Sequence, residues 1–158
     1  MKNVVITGST RGIGLSMARE FLRAGCNVTL SGRHEVLPEA ARSVLSSFEG
    51  KYIYVPCNVQ EKVNLQKLWD VSFTQWDGID IWINNSGQNT PYMFSWETGE
   101  SYTENTIKTN IMGVIYGSQV AAAGMLKQGY GAIYSMEGLG SNNMIQPKTI
   151  LYGTTKHA

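Results

Sequence analysis

Short apolar runs alternate along the chain with longer segments of mixed polarity, and this pattern predicts alternating strands and helices. Five runs rich in β-branched and aromatic residues are typical of buried strands, and they cover residues 4–6, 27–30, 52–55, 79–83 and 132–134. The segments between them have apolar residues at helical spacing. They predict helices over 12–25, 35–48, 61–76 and a long stretch after strand four, with a last helix beginning near Tyr152. In the long helix we expect Ile107, Ile111, Val114 and Ile115 to share one face.

Strict alternation of strands and helices has a defined consequence for the fold. Such chains form parallel sheets that are covered by helices on both faces and joined by right-handed crossovers. We therefore predict a doubly wound α/β domain with five strands in the order 3-2-1-4-5. The 158 residues suffice for one domain, 1–158, and are too few for two. Because the chain ends about one turn into the predicted last helix, we expect it to be truncated before the last strands of such a fold.

Composition and charge argue against several classes of partner. The net charge is +1, with acidic and basic residues mixed along the chain, which gives no support for a nucleic-acid groove or a polybasic membrane anchor. The uncharged stretch 109–126 is too polar for a membrane span and fits a buried helix better. Cys26 and Cys57 lack the spacing of a metal site, so we expect no metal and two reduced thiols. With no signal peptide at the N-terminus, these features predict a cytoplasmic protein that acts on a small molecule.

The turn between the first predicted strand and its helix is rich in glycine. The sequence there is Thr7-Gly8-Ser9-Thr10-Arg11-Gly12-Ile13-Gly14. Gly8 allows a tight turn, Gly12 allows the backbone to approach a ligand closely, and Gly14 allows the helix to pack closely. The helix N-terminus then presents free N–H groups to an anion. We therefore expect residues 8–14 to bind the pyrophosphate of a dinucleotide. The alternative is a glycine-rich turn without a ligand, but such a turn does not need three glycines, which cost backbone entropy on folding.

The spacing Gly-x-x-x-Gly-x-Gly resembles that of the short-chain dehydrogenases/reductases, and later landmarks do so as well. Asn84-Asn85-Ser86-Gly87 follows strand four where the family has Asn-Asn-Ala-Gly, and its later motifs are matched by Asn110 and by Tyr152-Gly153-Thr154-Thr155-Lys156. The resemblance covers the whole chain and implies a nicotinamide-dependent oxidoreductase that is a homo-oligomer at full length. It also implies two further strands and a substrate-binding segment beyond this chain. The further residues implied to contact the nucleotide are Asn58, Val59, Asn85, Ser86 and Gly87.

The end of the second strand bears on the choice between NAD and NADP. NAD-binding domains place an acidic residue there for the ribose hydroxyls, whereas this chain has Ser31-Gly32-Arg33-His34. Arg11 directly precedes Gly12 and can reach the same phosphate as Arg33. Because guanidinium groups offer paired donors to a phosphate, the sequence favours NADP(H) as the cofactor. The alternative is that Arg33 and His34 are solvated residues at the start of a helix.

Tyr152 and Lys156 are four residues apart, so they share one face of the last predicted helix. Reduction of a carbonyl needs a proton donor beside the oxygen, and a nearby ammonium lowers the pKa of a tyrosine from its usual value of about 10. The resemblance implies this catalytic pair, with Lys156 also binding the nicotinamide ribose and Asn110 holding a water of the proton relay. Outside the family, such a pair would be an ordinary feature of a helix surface.

The family's catalytic serine, at the end of strand five, has no clear counterpart. Family spacing places it at Leu139, whereas alignment on the strand end places it at Glu137. A protonated Glu137 could donate a hydrogen bond to the substrate oxygen and so act in catalysis. Its carboxylate could instead cap the loop by accepting backbone N–H bonds.

The segments 81–87, 136–141 and 152–156 together resemble the chlorophyll(ide) b reductase branch of the family, which reduces a formyl group with NADPH. This resemblance implies NADPH-dependent reduction of a carbonyl, in particular a formyl group on a large hydrophobic substrate. The alternative is an NADP-binding protein without a complete active site. The apolar segment 91–96 fits either one wall of a large substrate pocket or ordinary loop packing.

Overall fold

The computed structural model describes residues 1–138, 141 and 147–158. Within them, the strands form one parallel sheet in the order β3-β2-β1-β4-β5, which confirms the predicted topology. The strands are β1 Asn3–Ile6, β2 Asn27–Gly32, β3 Tyr52–Pro56, β4 Ile81–Asn84 and β5 Ala132–Ser135. Because the strands are parallel, the carboxyl ends of β1, β2 and β4 meet at one edge of the sheet, which is where ligands bind in folds of this class.

The helices alternate with the strands as expected, but their bounds differ from the prediction in two places. They are α1 Gly12–Arg23, α2 Glu39–Val44, α3 Lys62–Trp76, α4 Glu100–Ile107, α5 Gly113–Gln128 and α6 Ile150–His157. The second helix was expected over 35–48 and begins only at Glu39, because Pro38 is extended, with φ −55° and ψ 140°. The long helix after β4 is divided into α4 and α5 by a π-helical turn, Lys108–Met112. No helix in the described part of the chain is long and apolar enough to cross a membrane.

Two clusters of buried side chains hold the layers together, one on each face of the sheet. Successive residues of a strand point to opposite faces, so Val4 and Ile6 pack against α1 while Val5 packs against α3 and α5. The side chains of β1 and β2 are almost entirely buried. Those of β5 are half-buried or exposed, and Tyr134 is 57% exposed.

The four apolar residues at helical spacing in the long helix do not form its buried face, since Ile111 and Val114 are only half-buried. Ile107 is 40% exposed and Ile115 is 42% exposed, whereas the buried face is rich in small and polar residues. Its members are Thr106, Asn110, Gly113, Gly117, Val120, Ala121 and Met125. Glycine is needed there because the helix lies close to its neighbours: a Cβ at Gly113 would be 2.9 Å from Val59 Cγ2. Apolar periodicity alone therefore does not identify the buried face of this helix.

Candidate active site

The glycine-rich turn joins β1 to α1 and has the tight shape that its sequence predicts. Gly8 and Gly12 have positive φ angles of 62° and 55°, which favour glycine over any residue with a side chain. A Cβ at Gly14 would lie 2.5 Å from the carbonyl oxygen of Gly8 and 2.9 Å from Ser9 Cα. Gly14 therefore allows helix α1 to start directly against the glycine-rich turn, with the free N–H groups of the helix at the ligand side.

A hydrogen-bond network fixes this turn to the end of β4. Thr7 Oγ1 accepts the backbone N–H groups of Asn85 (2.9 Å) and Ser86 (3.0 Å). The side-chain amide of Asn85 donates to the carbonyl oxygens of Thr7 (2.9 Å) and Gly8 (3.0 Å). Asn85, which the sequence predicted as a nucleotide contact, thus also positions the turn.

Ser9 was predicted as a nucleotide contact as well, and the structure places its side chain elsewhere. It is fully buried, donates to the carbonyl oxygen of Ile6 (2.8 Å) and accepts the N–H of Ser31 (2.9 Å). Its hydroxyl joins β1 to β2 beneath the turn and is not among the groups that line the cleft described next. Any contact of Ser9 with a nucleotide would have to come from its backbone.

A cleft of about 950 Å³ opens at the carboxyl ends of β1, β2 and β4. Most of the predicted nucleotide contacts line it: Gly8, Thr10, Arg11, Gly12, Ile13, Gly14, Arg33, Asn58, Val59, Asn85, Ser86 and Gly87. The sequence did not point to several other lining residues, namely Pro38, Ala40, Gln88, Asn89, Tyr102 and Thr109. They belong to the start of α2, to the loop after β4 and to the α4 region with its π-helical turn, for which no motif in this chain marks the residues that face a ligand.

The electrostatics of the cleft favour an anion. Arg11 and Arg33 line it and are exposed to solvent, and no carboxylate is among its described lining residues. Gly32 packs closely against Thr10, as shown by the distance of 2.7 Å between a Cβ built on Gly32 and Thr10 Cγ2. Cys57 also borders the cleft, and burial raises the pKa of its thiol to about 12, so the sulfur stays protonated and is a poor nucleophile.

The remaining predicted residues meet at the far end of the cleft. Asn110 is buried in the π-helical turn, where it donates to the carbonyl oxygen of Gln88 (2.9 Å) and to Thr155 Oγ1 (2.9 Å). Its Oδ1 accepts the N–H of Gln88 (2.7 Å). Asn110 therefore joins the segment after β4 to α6, which carries Tyr152 and Lys156. With both amide hydrogens used, its predicted role as a water ligand stays a prediction.

Lys156 and Tyr152 lie on one face of α6, as their spacing predicted. The ammonium of Lys156 donates to the carbonyl oxygen of Met136 (3.0 Å) and lies 5.9 Å from the centre of the Tyr152 ring. A Cβ at Gly87 would be 3.6 Å from Asn110 Oδ1 and 3.9 Å from Lys156 Nζ. The end of the cleft at Gly87 thus lies within van der Waals distance of the predicted catalytic groups.

Burial shifts the pKa values of Tyr152 and Lys156 more than the two residues shift each other's pKa. Loss of solvent raises the pKa of Tyr152 and lowers the pKa of Lys156, since both charged forms are disfavoured. The sequence led us to expect that the ammonium would lower the pKa of the tyrosine, and in this structure the net direction is the opposite. The phenol therefore stays protonated at neutral pH and can act as a donor.

The structure identifies the backbone position next to the Tyr152 hydroxyl, and it is Gly138. A Cβ built on Gly138 would overlap Tyr152 Oη and would lie 3.1 Å from both Cγ and Cε of Lys156. Leu139, one of the two predicted positions for the serine, lies outside the described residues. Glu137, the other, is exposed, and within the described part of the chain its carboxylate has no hydrogen-bond or ion-pair partner. Gly138 thus lies beside the Tyr152 hydroxyl, while the position of the serine counterpart and a catalytic role of Glu137 stay predictions.

Comparisons with known proteins agree with this arrangement. The sequence profile of the short chain dehydrogenases matches residues 2–158. The chlorophyll(ide) b reductase NOL of Arabidopsis thaliana, a chloroplastic protein, is 36% identical in an alignment of 160 positions that covers 99% of this chain and 46% of that protein. The probable chlorophyll(ide) b reductase NYC1 of the same plant is 32% identical in an alignment of 173 positions that covers 98% of this chain and 35% of that protein. The chain thus spans less than half the length of these two relatives.

Solved structures share the fold. ElxO with NADP bound superposes with a TM-score of 0.91 at 29% identity, over 99% of this chain and 63% of that chain. A short-chain type dehydrogenase/reductase from Mycobacterium marinum gives a TM-score of 0.90 at 26% identity, over 99% of this chain and 64% of that chain.

Proposed function

The chain belongs to the short-chain dehydrogenase family, and we propose that it reduces a carbonyl group with NADPH as the hydride donor. The observation that carries the proposal is the continuity of the cleft. It begins at a turn shaped for a pyrophosphate, passes two arginines without a carboxylate among its described lining, and ends at Gly87 beside Lys156. The NADP-bound relative of the same fold supports a nicotinamide cofactor.

The residues of this cleft fit such a cofactor. The space that a Cβ of Gly14 would fill is taken by the turn itself, which leaves the N–H groups at the start of α1 for the pyrophosphate. Arg11 and Arg33 both line the cleft, which supports binding of a 2′-phosphate there, and we assign the adenine to Asn58 and Val59, which line it as well. Bound NADPH supplies the hydride, and the protein provides orientation and a proton.

The catalytic helix supplies the proton. Tyr152 is kept protonated by burial, so its hydroxyl can donate to the carbonyl oxygen of a substrate as hydride reaches the carbon. Lys156 is fixed by the carbonyl oxygen of Met136, and its ammonium stabilises the phenolate that remains. Asn110 holds α6 at the end of the cleft through Thr155.

We further propose a formyl group on a large hydrophobic molecule as the substrate. The proposal is supported by the similarity to two chlorophyll(ide) b reductases over nearly the whole chain. The other candidate function is a protein that binds NADP without catalysis, and it is favoured by the described residues beside Tyr152 and at the end of β5, since neither Gly138 nor Glu137 offers a serine hydroxyl. NADPH binding without any turnover of aldehydes by the full-length protein would select this second function.

Cofactor choice is tested by calorimetric titration with NADPH and NADH. We expect Arg33→Ala and Arg11→Ala each to weaken NADPH binding by about 10- to 100-fold, because each removes charge-assisted hydrogen bonds to one phosphate. NADH binding should stay unchanged. Arg23→Ala is the matched control, since Arg23 lies at the opposite end of α1 and pairs with Glu20. Tighter binding of NADH by the wild type, or equal losses for both nucleotides, would contradict the proposal.

Two expectations about the whole protein also remain proposals. Homo-oligomer formation is supported by the exposed apolar side chains along α4 and α5, such as Ile107 and Ile115. Multi-angle light scattering tests it, and a monomer at micromolar concentration would contradict it. The cytoplasmic location is tested by fractionation of cells that produce the full-length protein.

A further inference from the structure

Tyr54 is not among the residues that line the nucleotide cleft, yet its hydroxyl bonds to a segment that does line it. The residue belongs to β3, where it pairs with Leu30 of the neighbouring strand β2. Its Oη donates to the carbonyl oxygen of His34 (2.5 Å), two residues after the end of β2. Arg33 and His34 both line the cleft. Tyr54 can therefore act on a bound nucleotide through this segment.

The segment after β2 has few other supports. In the described part of the chain, residues 33–37 make one hydrogen bond, the one from Tyr54, and no ion pair. Arg33 and His34 are exposed to solvent, and the first buried side chain after β2 is that of Leu37. Without the bond from Tyr54, the backbone that carries Arg33 would be fixed only where β2 ends and where Leu37 is buried.

The same hydroxyl contacts Gly32, the last residue of β2. A Cβ at Gly32 would lie 3.4 Å from Tyr54 Oη and 2.7 Å from Thr10 Cγ2. NAD-binding domains hold the ribose hydroxyls with an acidic side chain at the end of this strand. Thr10 and Tyr54 occupy the space in which such a side chain would begin at Gly32. Arg33 therefore carries the first side chain that this edge of the sheet can offer to a ligand.

The ring of Tyr54 and the state of its hydroxyl suit this bond. The ring is half-buried and packs against the core cluster on the α1 face of the sheet. Burial, with a smaller contribution from the carboxylate of Glu35, raises the pKa of Tyr54. The hydroxyl therefore keeps its proton at neutral pH and donates it to the carbonyl oxygen of His34. A side chain anchored in the core thus holds one backbone oxygen of the segment.

These contacts relate Tyr54 to the choice of cofactor. Successive Cα atoms are about 3.8 Å apart across a trans peptide, so a bond that fixes the carbonyl of His34 also restricts the backbone of Arg33. A loop that is already held in its binding position loses less entropy when a ligand binds. Resting on the proposed function, we propose that Tyr54 is a positioning residue for the 2′-phosphate of NADP, because its hydroxyl holds the segment that presents the Arg33 guanidinium to that phosphate.

Calorimetry of the full-length protein with two adenosine nucleotides tests the proposal. The probes are adenosine 2′,5′-bisphosphate and adenosine 5′-monophosphate, which differ only by the 2′-phosphate. We expect Tyr54→Phe to weaken binding of the bisphosphate about five- to tenfold, since one hydrogen bond that orders the segment is lost. Binding of the monophosphate should change by less than about twofold. The phenylalanine keeps the ring in the core, so the variant should fold, and urea denaturation checks this.

A matched control and a double variant distinguish positioning from general damage. Tyr52 lies two residues before Tyr54 and on the same face of β3, and Tyr52→Phe should bind both nucleotides like the wild type. In an Arg33→Ala background, Tyr54→Phe should cause no further loss of bisphosphate binding, because the tyrosine acts through the arginine. Additive losses in the double variant, or equal losses for the two nucleotides in Tyr54→Phe, would overturn the proposal.

The outcomes also separate this proposal from the proposed function. A wild type that prefers the bisphosphate, with a Tyr54→Phe variant that keeps the full preference, would overturn the role of Tyr54 alone. A wild type without any preference would overturn this role together with NADP as the cofactor. Loss of the preference in Tyr54→Phe, in a full-length protein that reduces no aldehyde, would support the positioning role and contradict carbonyl reduction.

Discussion

The glycine-rich turn, residues 7–14, and the group of Gly138, Tyr152 and Lys156, which we call the corner, lie at the same edge of the sheet but are held by different parts of the chain. In the turn, a Cβ at Gly14 would meet backbone atoms of Gly8 and Ser9, and the neighbouring strands β1 and β2 are buried. In the corner, the close approach at Gly138 is to the ends of two side chains, Tyr152 and Lys156, near the partly exposed strand β5. Side-chain ends can move, whereas backbone in a buried turn cannot.

This difference separates the effects that substitutions should have. A side chain added at Gly14 must displace the backbone of Gly8 and Ser9, so its cost falls on folding and on nucleotide binding together. A side chain added in the corner is accommodated by rotation of Tyr152 or Lys156, so folding is preserved and the geometry of proton transfer changes. The two regions therefore report on different properties of the same site.

The largest effect is expected in the turn. Gly14→Ala would place a methyl group 2.5 Å from both the Gly8 carbonyl oxygen and Asn85 Nδ2, and we expect it to lower the free energy of unfolding by about 3 kcal/mol. Urea denaturation followed by circular dichroism measures this loss. Ser16→Ala, an exposed position two residues further along α1, is the control and should change stability by less than about 0.5 kcal/mol. A Gly14→Ala protein as stable as this control would show that the turn is not rigid.

An intermediate effect is expected in the corner. Gly138→Ala should change the free energy of unfolding by less than about 1 kcal/mol, because only flexible side-chain ends must move. It should nevertheless lower the rate of aldehyde reduction by about 10- to 100-fold, because the Tyr152 hydroxyl is displaced from the reacting oxygen. Single-turnover reduction by the full-length protein, with NADPH in excess, measures the rate. Gly138→Ser should recover part of it, since its hydroxyl can also donate to the carbonyl.

Glu137→Gln supplies the comparison for Gly138. Because the Glu137 carboxylate is exposed, we expect this variant to keep most of the wild-type rate and its dependence on pH. A loss as large as that of Gly138→Ala, with the disappearance of one titrating limb, would instead assign Glu137 the catalytic role that the strand alignment predicts. An unchanged rate in both variants would contradict the comparison between turn and corner.

The features that followed from the sequence are those that a local pattern determines. Alternation of strands and helices predicted the sheet order, because parallel strands joined by right-handed crossovers leave few topologies. The glycine spacing predicted the shape of the turn, because positive φ at Gly8 and Gly12 is a backbone requirement.

The features that sequence reasoning missed depend on contacts between distant residues. The buried face of α5 is determined by how closely Gly113 and Gly117 approach Val59 and β4, whereas Ile107 and Ile115 are exposed. The closeness of Gly138 to the Tyr152 hydroxyl could not be read from the sequence, because it depends on how α6 packs against the end of β5. The sequence placed Ser9 among the nucleotide contacts, and it could not show that the Ser9 hydroxyl donates to the carbonyl oxygen of Ile6.

The smallest expected effect concerns the charge in the corner and its dependence on pH. Burial lowers the pKa of Lys156, so below that pKa the folded state bears the cost of a charged ammonium that the unfolded chain does not. Lys156→Met keeps the length of the side chain and removes the charge. At pH 7 it should be at least as stable as the wild type, with a gain of less than about 1 kcal/mol because the group is half-exposed and loses its bond to Met136.

The direction of the pH dependence distinguishes this charge from its neighbour. Between the lowered pKa of folded Lys156 and the unfolded value near 10.4, the unfolded state binds more protons, so the wild type gains stability relative to Lys156→Met as pH rises. For Tyr152 the folded pKa is raised, so above about pH 10 the unfolded state ionises first and the wild type loses stability relative to Tyr152→Phe. Urea denaturation of the three proteins from pH 7 to pH 11 should therefore give stability differences of opposite slope. Differences that are independent of pH would mean that the corner is as hydrated as the exposed surface, and that the pair is not desolvated before substrate binds.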